Sequence, residues 1–376
     1  MKLHPSNSVR SAKLGSIALL FASPAVALAP HQGAAATSPA AKPAASSLHI
    51  LHTYELGGEG SWDYLTIDPE SRRLYISRST HVMVMDADTG KLVGDIPDTE
   101  GVHGIALAPD AGRGFTSNGR SASAAIFDLK TLAAIGTVKT GKGPDAILYD
   151  PASKRVFTFN GGSNDATAID AAAGTVAGTI ELGGKPEFAA ADGTGRVFVN
   201  LEDKSEIVAL DSKALKVVAR WPIAPGEEPS GLAIDVKNHR LFSGCHNQMM
   251  AIVDTESGKV LATPAIGQGV DATAFDPTTA CAFSSNGDGT LTIVHEDDPS
   301  TFKVLENVTT QRSAKTMALD PKTHNVYLGA AKFEAPPPEP KPPEAKDGAK
   351  DAPKEGARRQ RPKMVAGSFV ILVVGK

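Results

Sequence analysis

The sequence predicts a seven-bladed β-propeller, an all-β fold of four-stranded antiparallel blades. The segment Pro144-Asp145-Ala146-Ile147-Leu148-Tyr149-Asp150-Pro151, continued by Lys154-Arg155-Val156-Phe157-Thr158-Phe159-Asn160, occurs in seven altered copies. The second residues of the copies are Asp63, His103, Asp145, Glu187, Ser230, Asp271 and Lys315, spaced 40, 42, 42, 43, 41 and 44 apart. A period of roughly 40–50 residues signals a propeller or solenoid. Within a period there are four short apolar runs and no helical spacing.

The first copy shows the unit. Leu65-Thr66-Ile67 precedes an Asp68-Pro69 turn, and Leu74-Tyr75-Ile76-Ser77 follows it. Val82-Met83-Val84-Met85-Asp86 ends at Thr89-Gly90, and Lys91 to Ile96 is the fourth run. β-branched and apolar stretches bounded by such turns read as antiparallel strands. One four-stranded sheet cannot bury both faces, whereas radially stacked sheets bury one another's.

The last copy lacks a fourth strand. It supplies Thr316–Leu319, Asn325–Leu328 and, after a delay, Ser368–Val374. The segment Leu48–Leu56 ahead of the first copy resembles a fourth strand. It is expected to complete the last blade, closing the ring and removing an open edge.

Residues 1–29 read as a secretory signal, with Lys2, Arg10 and Lys13 ahead of an apolar run from Leu14 to Ala29 that is too short for a comfortable membrane span. Residues 30–47 read as a flexible Ala/Pro-rich linker and 48–376 as the propeller. The mature chain is therefore expected in the periplasm or secreted, as a monomer with no transmembrane span. Residues 334–366 form a Pro/Lys/Glu-rich insertion, expected to be disordered, ending in Arg358, Arg359, Arg361 and Lys363. The net charge of −4 gives no broad nucleic-acid footprint, and 5% aromatic residues is low for a stacking surface. Cys245 and Cys281 fall at opposite ends of neighbouring second strands, about 16 Å apart by strand rise, so two free thiols are expected.

Phe115-Thr116-Ser117-Asn118, Phe157-Thr158-Phe159-Asn160 and Phe283-Ser284-Ser285-Asn286 resemble the signature of the tyrosine-valine-threonine-asparagine (YVTN-type, YncE-like) propeller repeats. The Pro-Asp-x-Ile-x-x-Asp-Pro element and the third-strand turn Asp254-Thr255-Glu256-Ser257-Gly258-Lys259 are similar to it too. The resemblance covers residues 48–332 and 367–376. It departs at Arg78, Leu201, Cys245 and Ala330, which stand near the signature Asn. It implies an exported propeller and names no activity.

First strands start, and second strands end, at one face. Asp63, His103, Asp145, Glu187, Ser230, Asp271 and Lys315 are therefore expected to ring one mouth of the central channel, with Asn118, Asn160 and Asn286 near them. Trp62 and Tyr64 flank Asp63. Oxygen ligands of this kind suit Ca²⁺ or Mg²⁺, or a polar or cationic small molecule. His239, His246, His295 and His324 are read as surface residues in turns. No nucleophile–base constellation, haem site or phosphate loop is present, so a non-catalytic binding or scaffold propeller for a small polar ligand or a protein partner is expected. Two other resemblances give alternatives. One is a metal-assisted hydrolase similar to six-bladed lactonase propellers. The other is a redox-partner propeller similar to the heavy subunits of quinone-cofactor amine dehydrogenases.

Overall fold

A computed structural model describes residues 48–335 and 362–376. The segments read as a signal and a linker, and most of the 334–366 insertion, lie outside these residues. Its strands form seven four-stranded antiparallel sheets. Blade 1 starts at Leu65–Asp68, blade 2 at Val102–Ala108, blade 3 at Pro144–Asp150 and blade 4 at Pro186–Ala191. Blades 5, 6 and 7 start at Pro229–Asp235, Val270–Asp276 and Thr316–Leu319. Each first strand touches the first strands of the blades on either side, and that of blade 7 touches that of blade 1, which closes the ring. Among the described residues no helix is long and apolar enough to cross a membrane.

Closure is by the expected pairing. His49–Glu55 runs antiparallel to Val370–Gly375 and completes blade 7. On the other side Val370–Gly375 pairs with Val326–Ala330, and that hairpin continues outward through a Phe333–Met364 bridge. Residues 334 and 362–365, assigned to the insertion from sequence, thus include an ordered stalk, in which the Glu334 amide donates to the Lys363 carbonyl at 2.8 Å.

The core is divided into slabs between blades. One apolar cluster joins each adjacent pair: Tyr75, Val84 and Ile96 of blade 1 meet Ile105 and Phe127 of blade 2, and Ala106 and Phe115 of blade 2 meet Val156 and Ile169 of blade 3. Successive strand residues point to opposite faces, so Ile105 and Ala106 serve different neighbours. The outermost strand of every blade carries a register shift, as between Val84 and Met85 or Ala168 and Ile169. Such bulges twist an edge strand away from foreign pairing.

An arginine at the start of the second strand clamps neighbours at the face opposite the mouth. Arg73, Arg155, Arg196 and Arg240 donate to the carbonyls of Leu129, Ser212, Thr255 and Pro299 of the following blade. Arg113 reaches Ala171 at 3.4 Å. In blade 6 Cys281 occupies this register position. Cys281 and Cys245 are both free and buried, at opposite ends of their strands as expected. At the seam between blades 7 and 1, Arg72 donates at 2.7 Å to Asp320, which is 0% exposed, and also to Asp88.

Two stability predictions follow. Arg72→Ala leaves the Asp320 carboxylate buried without its cation, so it should cost roughly 2–3 kcal/mol. Arg113→Ala, losing one long bond to a carbonyl, should cost under about 1 kcal/mol. Urea denaturation of the two variants checks the order. The second concerns the far face, where Glu296 is buried beside Asp235, Asn238 and Arg240. Burial first, then the Asp235 charge, push its carboxyl up to about 7. A raised carboxyl favours folding only while protonated, so its contribution is full below about pH 4.5 and is lost as pH rises through about 7. Glu296→Gln should therefore gain roughly 1–2 kcal/mol over the native chain at about pH 8 and nothing at about pH 4.5. Equal melting differences at both pH values would refute this.

Candidate functional site

The mouth residues sit where the first strands fall out of register. Pairing skips from Val102 to Ile105, Pro144 to Ile147, Pro186 to Ala189, Pro229 to Leu232 and Val270 to Ala272. His103, Asp145, Glu187, Ser230 and Asp271 lie in those gaps. Asp63 and Lys315 lie just before the first paired residues of blades 1 and 7. Released from the ladder, these residues can aim side chains away from the sheet. Their backbone is held instead by the neighbouring blade. Ser117 donates to the Asp145 carbonyl, Asn200 to that of Ser230 at 2.8 Å, Ser230 to that of Asp271 at 3.0 Å, and Ser285 to that of Lys315.

The side chains gather into two groups. In the first, His103 Nδ1 lies 2.6 Å from Asp63 Oδ2 and 3.6 Å from Asp145 Oδ1. These three residues present ligand atoms within 4.8 Å of one another. The Asp63 hydrogen bond raises His103 above the ordinary imidazole value against its burial, and the charges of Asp145, Asp63 and Glu187 add to the rise. Asp63 and His103 border a cavity of about 340 Å³ lined also by Ser61, Trp62 and Arg120.

The second group borders a cavity of about 240 Å³ lined by Glu187, Glu202, Ser230, His246, Asp271 and Lys315. Lys185 Nζ bridges Glu187 at 2.7 Å and Glu202. Lys315 Nζ stands 3.2 Å from Asp271 Oδ2. Burial, and then the charge of Asp145, push Glu187 up to about 7. Burial pushes Asp271 up to about 6 against the pull of Lys315.

Below the ring the channel is blocked. The residues after the ring positions are Tyr64, Gly104, Ala146, Phe188, Gly231, Ala272 and Thr316. The two aromatics, from blades 1 and 4, stack with centroids 4.5 Å apart. The others must stay small: a Cβ on Gly231 would come 2.4 Å from the Thr273 amide nitrogen of the next blade. The Tyr64 hydroxyl is sealed from solvent with no hydrogen-bond partner. Burial holds its pKa well above the phenol value, followed by the charges of Asp145, Asp63, Glu187 and Asp271.

Asn118, Asn160 and Asn286 stand beside the ring, one strand outward, as their register places them, but they are not exposed at the mouth. All are at most 1% exposed and turned into their own blades. Thr116, Thr158 and Ser284 donate to their side-chain oxygens. The Asn160 and Asn286 amides bond Thr167 and Thr292 on the third strand. They lock blade register rather than face a ligand. Trp62 likewise turns to Phe369, 5.2 Å between centroids. His246 is an exposed turn residue as read from the sequence, and it also lines the second cavity, 3.6 Å from Glu228. His295 lies within a strand, 2.6 Å from Asp297. Sequence reading missed Lys185 and Glu202, although each is one residue outside a strand end that it had located.

His103 should titrate above the usual histidine range in an NMR pH series, and Asp63→Asn should lower it. A histidine that keeps its value in Asp63→Asn would show that the 2.6 Å contact carries no charge-assisted bond.

No family model and no curated protein matches the sequence. Solved structures do match in fold. A chain of the Kuenenia stuttgartiensis hydrazine synthase aligns with a TM-score of 0.59 at 18% identity, covering 72% of this chain and 94% of that one. A chain from the crystal structure of the mitotic checkpoint complex aligns with a TM-score of 0.67 at 12% identity, covering 81% and 95%.

Proposed function

We propose that this chain is an exported, monomeric, non-catalytic propeller of the YVTN-repeat type. Its acidic channel mouth receives a cationic group, either a small polyamine-like ligand or a basic side chain of a protein partner. The observation that carries this is the charge balance at one blocked mouth. The carboxylates of Asp63, Asp145, Glu187, Glu202 and Asp271 converge there, against the cations of His103, Lys185 and Lys315. Partial burial strengthens their attraction for a matching cation. The blocked floor makes the mouth a basin rather than a pore. Membership of the repeat family is supported by the signature residues and by the blade register they lock. The matched chain from a multi-protein complex supports an interaction role at the level of fold. The signal over residues 1–29 supports export.

Spermidine is the first probe. Calorimetry should show saturable binding, weakened roughly tenfold or more in the combined Asp63→Asn, Asp145→Asn, Asp271→Asn chain. Binding should also weaken as pH falls from about 8 to 5.5. In that range Glu187, facing Asp145, Lys185 and Glu202, takes up its proton near 7. Asp271, facing Lys315, Asp63 and Asp145, does so near 6. Each uptake removes a negative charge from the basin. Absence of binding at either pH, or equal binding by the combined variant, would sink the reading.

A further inference from the structure

We propose that Asp63, His103 and Asp145 form a binding site for a first-row divalent metal ion of the Zn²⁺ type, an inference that rests on the acidic-mouth reading and narrows it. The three ligands come from three consecutive blades, each held at a point where its strand has left the ladder. Two carboxylates compete for one imidazole nitrogen. His103 Nδ1 serves Asp63 at 2.6 Å, and Asp145 at 3.6 Å is beyond hydrogen-bond reach. A cation about 2.1 Å from each of three ligands needs them about 3–3.4 Å apart, which lies between those two spacings. One ion in place of the His103–Asp63 proton would serve all three.

A second, separate observation points to the same place. The Tyr64 hydroxyl is sealed from solvent and unpartnered, on the residue that follows Asp63 in the chain, and the charges of Asp145 and Asp63 are the largest acting on it. A water on the inner side of the ion gives that hydroxyl the partner it lacks, in the manner of outer groups that orient metal-bound ligands. The other side faces the cavity that Asp63 and His103 line, and the three side chains are between 28% and 37% exposed. Three protein ligands and an open position describe an ion that keeps solvent or accepts a further ligand.

The donor set selects the ion. An imidazole with two carboxylates suits Zn²⁺ and its first-row neighbours, whereas Ca²⁺ takes six to eight oxygens. Three residues at an open mouth fall short of that number.

The test is equilibrium dialysis of the purified chain, stripped with chelator, against Zn²⁺ or Ca²⁺, followed by elemental analysis. Cobalt absorption at the same site is the second readout. One Zn²⁺ per chain and no bound Ca²⁺ is expected. His103→Gln and Asp145→Asn should each weaken binding about 100-fold or more, and Tyr64→Phe about 10-fold. These side chains are partly exposed or change by one atom, and thermal melts check that each variant is folded. Failure of Zn²⁺ to bind would overturn the proposal. So would binding that survives both His103→Gln and Asp145→Asn while being lost in His246→Gln, since that would place the ion on the Glu202 side. Spermidine binding that persists without Zn²⁺ binding removes the metal alone. Loss of both removes the acidic-mouth reading as well.

Discussion

No blade of this molecule can keep its faces dry by itself, and the rest of the structure follows from that. Each sheet lends alternate side chains to the two neighbours, so the apolar core consists of slabs between blades. A stack of slabs has no exposed end only if the last blade meets the first. That requirement brings His49–Glu55 beside Val370–Gly375. It also explains Arg78, which is 0% exposed and has no carboxylate among its hydrogen-bond partners. Its guanidinium donates to the carbonyls of Gly57, Glu59 and Gly60 and lies 4.2 Å from the Phe369 ring centroid. Desolvation lowers its pKa to about 10, yet it remains charged at neutral pH. The carbonyls replace the water it gives up, and in return it fixes the turn by which the closing strand enters blade 1.

Closing the ring creates the conditions for the mouth. First strands converge on the axis, and at the mouth end most of them drop out of register with their second strands. Residues in the gaps have no ladder to satisfy their backbone, so the preceding blade holds it through Ser117, Asn200, Ser230 and Ser285. The side chains are then free to project, and they are polar because this end stays open to water. Only at Tyr64 and Phe188 does a large ring fill the axis, and Gly104, Ala146 and Gly231 at the matching positions leave room for it. The two aromatics convert a channel into a basin.

Much of this was legible in the sequence. The period, the Asp-Pro and Thr-Gly turns and the orphan strand at Leu48–Leu56 gave blade number, strand order and closure, because each reflects a local preference repeated seven times. The ring Asp63, His103, Asp145, Glu187, Ser230, Asp271 and Lys315 followed from register alone. Side-chain direction did not. Asn118, Asn160 and Asn286 end their strands at the same height as the ring, and nothing in a one-dimensional register says that they turn inward to threonine and serine hydroxyls. The aromatic stack joins blades 1 and 4, whose residues are 124 positions apart (64 to 188), and no periodic signal reports a contact across the axis. Arg113, Arg155, Arg196 and Arg240 recur visibly in the sequence, but the contacts they share across blades are to carbonyls, which carry no residue identity to be read.

The two faces of the ring differ in how their contacts are made, and that difference decides which face can evolve a function. At the far face the clamps are charged side chains on neighbouring carbonyls, and Arg72 with buried Asp320 seals the seam. Changing those residues disturbs the blade interfaces themselves. At the mouth the clamps are serine and asparagine side chains, three of them one strand outward and one the ring residue Ser230, acting on the backbone of the ring residues. The positions of the ring side chains are therefore set by bonds made to their backbone. Ser77 holds the Asp63 amide, and Ser117 holds the Gly104 amide and the Asp145 carbonyl, so the backbone around Asp63, His103 and Asp145 is placed independently of what their side chains do.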